Sequence, residues 1–148
     1  MTHRLGKIDI KRYIRYHIAM YLLLSLFAAA PVLKPCTNTL FTVNSLSLDP
    51  HVPLPGDKVA LIMDYTVPVG YVATGGTAKY ELTYNFLPLS PTTEPLCQNI
   101  PCPLGPGTYK NSSIADWPTG LTGSLKTLIT WTDVAGIKLL CFTIDAKL

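Results

Sequence analysis

The chain has 148 residues, which fits one domain and leaves little room for a second. Its formal charge of +3 is misleading, because five of its 12 Lys and Arg fall in the first 30 positions. The remainder holds seven lysines, no arginine and eight acids, a net charge of −1 that argues against nucleic-acid binding.

Residues 1–30 have the order of a secretory leader. Arg4, Lys7, Lys11, Arg12 and Arg15 form a basic start, Ile18 to Phe27 an apolar run, and Ala28-Ala29-Ala30 a small-residue cleavage site. The apolar run is short for a membrane span, which needs about 20 residues. The expectation is a signal peptide over 1–30, with a retained anchor as the alternative.

Beyond the leader no helical periodicity is visible. A first strand is expected from Thr39 to Leu48, followed by a proline-rich turn from Asp49-Pro50 to Pro55-Gly56-Asp57. In Lys58 to Val67, Val59, Leu61, Met63, Tyr65 and Val67 share one face. Gly75-Gly76 then opens the clearest alternation. Ala78, Tyr80, Leu82, Tyr84 and Phe86 point one way, and Lys79, Glu81, Thr83 and Asn85 the other. Prolines 88, 91 and 95 break the next stretch, and Pro106-Gly107 and Pro118-Thr119-Gly120 punctuate later. Leu125, Thr127, Ile129 and Trp131 alternate with Lys126, Leu128, Thr130 and Thr132. Finally, Leu140, Phe142 and Ile144 lie opposite Cys141, Thr143 and Asp145. Short strands with regular turns predict an all-β sandwich or barrel of antiparallel sheets.

Four cysteines follow the leader: Cys36, Cys97, Cys102 and Cys141. An even number behind a signal peptide reads as disulfides in an oxidising compartment. Three pairings are open. Cys97 and Cys102 are natural partners across a tight loop, which leaves Cys36 for Cys141. A zinc site is not expected, because there is no Cys-x-x-Cys pair and His51 lies far from the cysteines in sequence. Catalysis is not expected either. His51 is the sole histidine after the leader, the acids Asp49, Asp57, Glu94, Asp116 and Asp133 lie near predicted turns, and no phosphate loop is present. No cofactor is expected. Asn111-Ser112-Ser113 fits a glycosylation sequon, which would mark a surface loop.

Taken in order, several motifs resemble the ML lipid-recognition family. They are Ser45-Leu46-Ser47-Leu48-Asp49-Pro50 with Leu54-Pro55-Gly56-Asp57-Lys58, then Gly75-Gly76-Thr77-Ala78-Lys79. Leu96-Cys97 with Pro101-Cys102-Pro103-Leu104 and Pro106-Gly107-Thr108-Tyr109 come next. Pro118-Thr119-Gly120, Leu125 to Trp131 and Leu140-Cys141-Phe142-Thr143-Ile144 complete the set. The chain resembles the soluble sterol carrier of Niemann–Pick type C disease and the phosphatidylglycerol/phosphatidylinositol transfer proteins. The resemblance covers residues 36–148 and implies the pairings Cys36–Cys141 and Cys97–Cys102. A third disulfide typical of sterol carriers is missing, which implies the phospholipid-transfer branch.

The resemblance implies an immunoglobulin-like β-sandwich whose two antiparallel sheets enclose an apolar cavity for one sterol or phospholipid. Val59, Leu61, Met63, Tyr80, Leu82, Tyr84, Phe86, Ile129, Trp131, Leu140, Phe142 and Ile144 would line it. The mouth is expected near Leu87 to Pro95 and near Trp117 to Leu121, with Trp117 and Leu121 at the entrance. The implied function is a monomeric lipid carrier that touches membranes transiently. It would act outside the cell or in an endosomal, lysosomal or vacuolar lumen, with a receptor or membrane transporter as a further partner. Two other readings are a lipid-loaded recognition protein engaging a receptor and a ligand-free adhesion module.

Overall fold

The computed structural model describes residues 29–148; the expected leader, up to residue 28, lies outside the described residues. Nine strands follow in chain order. They are β1 (Val32–Pro35), β2 (Thr42–Asp49), β3 (Lys58–Val67), β4 (Gly76–Tyr84), β5 (Leu87–Pro88), β6 (Thr92–Pro95), β7 (Gly107–Asp116), β8 (Ser124–Asp133) and β9 (Lys138–Lys147). One 3-10 turn, Leu96–Gln98, sits between β6 and β7.

The strands form two antiparallel sheets. The larger runs β1-β9-β8-β4-β5, with β6 also on the outer edge of β4, and the smaller runs β2-β3-β7. Side chains alternate across each strand, so the register decides what faces inward. In the larger sheet Ile129 sits between Tyr80 and Phe142, and Trp131 between Ala78 and Leu140. In the smaller sheet Met63 sits between Leu46 and Asn111, and Leu61 between Leu48 and Ser113.

The core is fullest towards one end. Phe41, Tyr65, Val67, Ala73, Leu104, Leu139 and Leu140 are all essentially buried there. Tyr65 stacks on Phe41 and on Tyr109, at centroid distances of 5.9 and 5.8 Å. Chain crossing from the larger sheet to the smaller happens between β1 and β2. It is pinned by the Cys36–Cys141 disulfide and by Phe41 N donating to Leu139 O at 2.7 Å. The second disulfide joins Cys97 to Cys102. Both pairings are those expected.

Gly76 opens β4 because nothing larger fits. A Cβ there would stand 2.0 Å from Thr132 O, at a φ of +141°.

Several expectations change. The first expected strand starts at Thr42 instead of Thr39, and a short strand, β1, precedes Cys36. β6 and β7 were not expected. β6 carries Pro95 and lies at a sheet edge, where a missing donor is tolerated. β7 has no apolar alternation, because its inward positions are Tyr109, Asn111, Ser113 and Ala115. Most consequentially, β4 ends at Tyr84. Asn85 and Phe86 have φ values of 46° and 68°, and Tyr84 pairs with Leu87. This two-residue hairpin turn takes Phe86 out of the alternation.

Candidate functional site

Between the sheets lies a small cavity of about 40 Å³. Leu61 and Met63 of β3 form one wall; Tyr80, Ile129, Trp131 and Phe142 of the larger sheet form the other. Asn99, from the Cys97–Cys102 loop, and Asn111 and Ser113 of β7 complete the lining. The wall is thus apolar on both sheets and polar where β7 approaches the disulfide loop.

Of the expected lining, Leu61, Met63, Tyr80, Ile129, Trp131 and Phe142 are brought together. Val59 and Leu140 are buried, and Leu82, Tyr84 and Ile144 partly so, but none of them lines the cavity. Tyr84 is held elsewhere, its hydroxyl donating to Thr122 O at 2.8 Å. Phe86 is 90% exposed on its turn and does not face the cavity.

Of the two expected mouth segments, Leu87 to Pro95 brings Glu94 beside the cavity, whereas Trp117 to Leu121 does not reach it. Trp117 donates its backbone N–H to Asp57 O at 2.7 Å and accepts from Gly56 N, so it closes the base of the β2–β3 connection. Leu121 is largely exposed in the β7–β8 loop. Neither reaches the cavity. Asn111 is the opposite case. Expected on a surface loop, it lies mid-strand on the inner face and donates to Asn99 O at 3.3 Å.

A polar group that the sequence reading missed stands beside the cavity. Glu94 occupies the inner face of β6, opposite Ala78. Its Oε1 accepts from the Tyr80 hydroxyl at 2.5 Å and from Asn99 Nδ2 at 2.8 Å. These two hydrogen bonds hold the Glu94 carboxyl below its ordinary pKa, so it is ionised at neutral pH. Burial, and then the bond to Glu94, push Tyr80 up to about 12. The polarity pattern of β7 was the available signal for Asn111 and Ser113. For Glu94 the signal was its place in the Leu87 to Pro95 segment expected at the mouth, although its proline-flanked strand resembles a loop.

Charge is otherwise kept away. Lys79 pairs with Glu81 on the outer face of the larger sheet, at 2.9 Å. Lys110 sits in register with Asp64 on the outer face of β7. No lysine lines the cavity.

Comparison with known proteins bears on the arrangement. The fold is similar to that of a Niemann–Pick type C2 protein from the Japanese carpenter ant. That match has a TM-score of 0.62 and 15% identity, covering 78% of this chain and 98% of that one. It is also similar to chicken MD-1 complexed with lipid IVa, at a TM-score of 0.53 and 15% identity, covering 79% and 88%. No curated protein matches by sequence. The profile of the ML domain matches residues 31–148. That match covers all nine strands and both disulfides, and the chain accordingly belongs to the ML-domain family.

Proposed function

We propose that this protein binds one lipid between its two sheets and carries it between membranes, without catalysing a reaction. The observation that supports this most is the composition of the inter-sheet space. Six apolar or aromatic side chains from both sheets face each other there, in a chain of the ML-domain family. The likeness to MD-1 complexed with lipid IVa adds support.

The cavity is too small to hold a lipid tail without the sheets moving apart. Pockets that enclose a small-molecule ligand run to about 300–1,000 Å³. Holding about 300 Å³ open and empty would cost about 7 kcal/mol, at about 24 cal/mol per Å³. That is comparable with the whole stability of a small domain, so the space is expected to widen only as a tail fills it. A lipid tail that buries about 400 Å² recovers about 10 kcal/mol, before association costs. In this reading the tail wedges between Leu61 and Met63 on one side and Ile129 and Phe142 on the other.

Carriage requires contact with a membrane, and both ends of the sandwich carry exposed apolar tips. Val69, Val72 and Val134 stand at one end, Phe86 and Leu87 at the other. The two disulfides suit an oxidising lumen or the cell exterior.

The test is solvent extraction of the purified protein with lipid analysis, followed by transfer between donor and acceptor vesicles. The proposal expects one lipid per chain and transfer that Met63→Trp, by filling the cavity, strongly reduces. An empty protein that transfers nothing would overturn it.

A further inference from the structure

The polar end of the cavity is bordered by a carboxylate hydrogen-bonded to two of its lining residues, Tyr80 and Asn99. Glu94, Tyr80, Asn99 and Asn111 form a connected chain of hydrogen bonds where β6 and the disulfide loop face β7. Both bonds to Glu94 fall on Oε1, and among the described residues Oε2 has no donor. The Tyr80 hydroxyl already donates to Glu94, and Asn99 and Asn111 each spend one N–H within the chain. What the cluster still presents is a carboxylate oxygen, amide and hydroxyl oxygens and one N–H on each asparagine side chain, with no lysine or arginine on the cavity lining.

Resting on the lipid-binding reading above, we propose that this cluster selects the lipid head group. It accepts a head that donates hydrogen bonds, a hydroxyl or a protonated amine, and it disfavours an anionic head such as a phosphate monoester. The reason is pairing. Glu94 is bonded to the lining residues Tyr80 and Asn99 and is not itself on the lining, so a hydroxyl or ammonium that passes between them makes a charge-assisted hydrogen bond to it. A phosphate in the same place meets an ionised carboxylate, with no lysine or arginine on the lining to offset the repulsion. Phosphate recognition normally uses such cations, or a helix N-terminus. The disulfide supports the same role, because closing Cys97 to Cys102 holds Asn99 against both Glu94 and Asn111.

The experiment compares decylamine, decanol and decyl phosphate, which share one tail and differ in the head. Each is titrated at neutral pH into delipidated protein, below its micelle concentration, with native mass spectrometry as the readout. Decylamine and decanol are expected to bind at least about tenfold more tightly than decyl phosphate, the size of one charge-assisted hydrogen bond. Glu94→Gln keeps an oxygen for Tyr80 and Asn99 but removes the charge. It is expected to lower decylamine affinity about tenfold and decanol affinity by less, because a neutral amide oxygen still accepts from a hydroxyl. Should that variant not fold, the salt dependence of decylamine binding to the unaltered protein replaces it, and weakening with salt is expected. Equal binding of all three probes overturns the head-group inference and leaves the lipid-binding reading standing. Binding of none overturns both. Preference for decyl phosphate overturns the inference directly.

Discussion

Tyr65 of β3 and Trp131 of β8 meet edge to face across the gap between the sheets, with ring centroids 5.5 Å apart and planes at 88°. Trp131 is at once a strut between the sheets and part of the cavity wall. On the far side of Tyr65 lie Phe41 and Tyr109, so the packed end of the sandwich and the hollow share this contact. Removing the strut removes a large buried ring. Tyr65→Ala is expected to cost about 3–5 kcal/mol, read from urea denaturation. A cost below about 1 kcal/mol would show that the sheets are held together elsewhere.

The two disulfides have unequal stabilising effects. Cys36–Cys141 spans 105 residues and ties the crossing segment to β9; Cys97–Cys102 spans five. On the chain-entropy account, the first contributes about 4–5 kcal/mol and the second about 2 kcal/mol. Paired Cys→Ala variants, compared by denaturant midpoint, should rank in that order. Losing the short bridge should additionally weaken head-group discrimination, because Asn99 is then free to move.

Asn111 should carry no glycan in the folded protein. Its amide faces the cavity and bonds Asn99, so an attached sugar would have to part β7 from the disulfide loop. Peptide mass analysis of protein made in a secretory host checks this, and full occupancy at residue 111 would contradict the packing described.

Acid should destabilise the β8–β9 turn through Asp133. Tyr71 donates its hydroxyl to one carboxylate oxygen at 2.6 Å, and the backbone N–H groups of Ala135 and Ile137 donate to the other. The Tyr71 bond, and then the Ile137 bond, lower the Asp133 pKa from 3.8. A carboxyl depressed on folding stabilises above its unfolded value, and that contribution disappears as pH falls from there through the folded one. Asp133→Asn should therefore be less stable than the unaltered chain at pH 7, with the gap narrowing below about pH 4. Thermal melts of both proteins at the two pH values check the sign; a gap that widens in acid would be contrary.

The strands with strong apolar alternation were legible in sequence. The inward faces of β3, β4, β8 and β9 are legible in the alternation, and with them the six apolar or aromatic residues of the cavity wall. Turn geometry was not legible. Nothing in Tyr84-Asn85-Phe86 distinguishes a continuing strand from a tight turn, so Phe86 was placed inside and lies outside. Phe86→Asp is therefore expected to leave lipid binding intact, and the partly exposed Tyr84 gives no reason to expect more of Tyr84→Asp. The polar end of the site was hidden for a different reason. Glu94, Asn99 and Asn111 come from an edge strand, a disulfide loop and a polar strand, and only tertiary packing brings them together. That end also turns the ligand expectation. The missing third disulfide implied the phospholipid-transfer branch, whereas the carboxylate beside the cavity favours, on the inference above, a hydrogen-bond-donating head.

The most direct test of a lipid between the sheets is a crystal structure of the protein loaded with a lipid whose tail carries bromine. The account predicts anomalous bromine signal between Met63 and Phe142, with the sheets farther apart and the 40 Å³ space enlarged several-fold. Bromine found only on the outer surface, with Leu61, Met63, Ile129 and Phe142 still closed on each other, would contradict it.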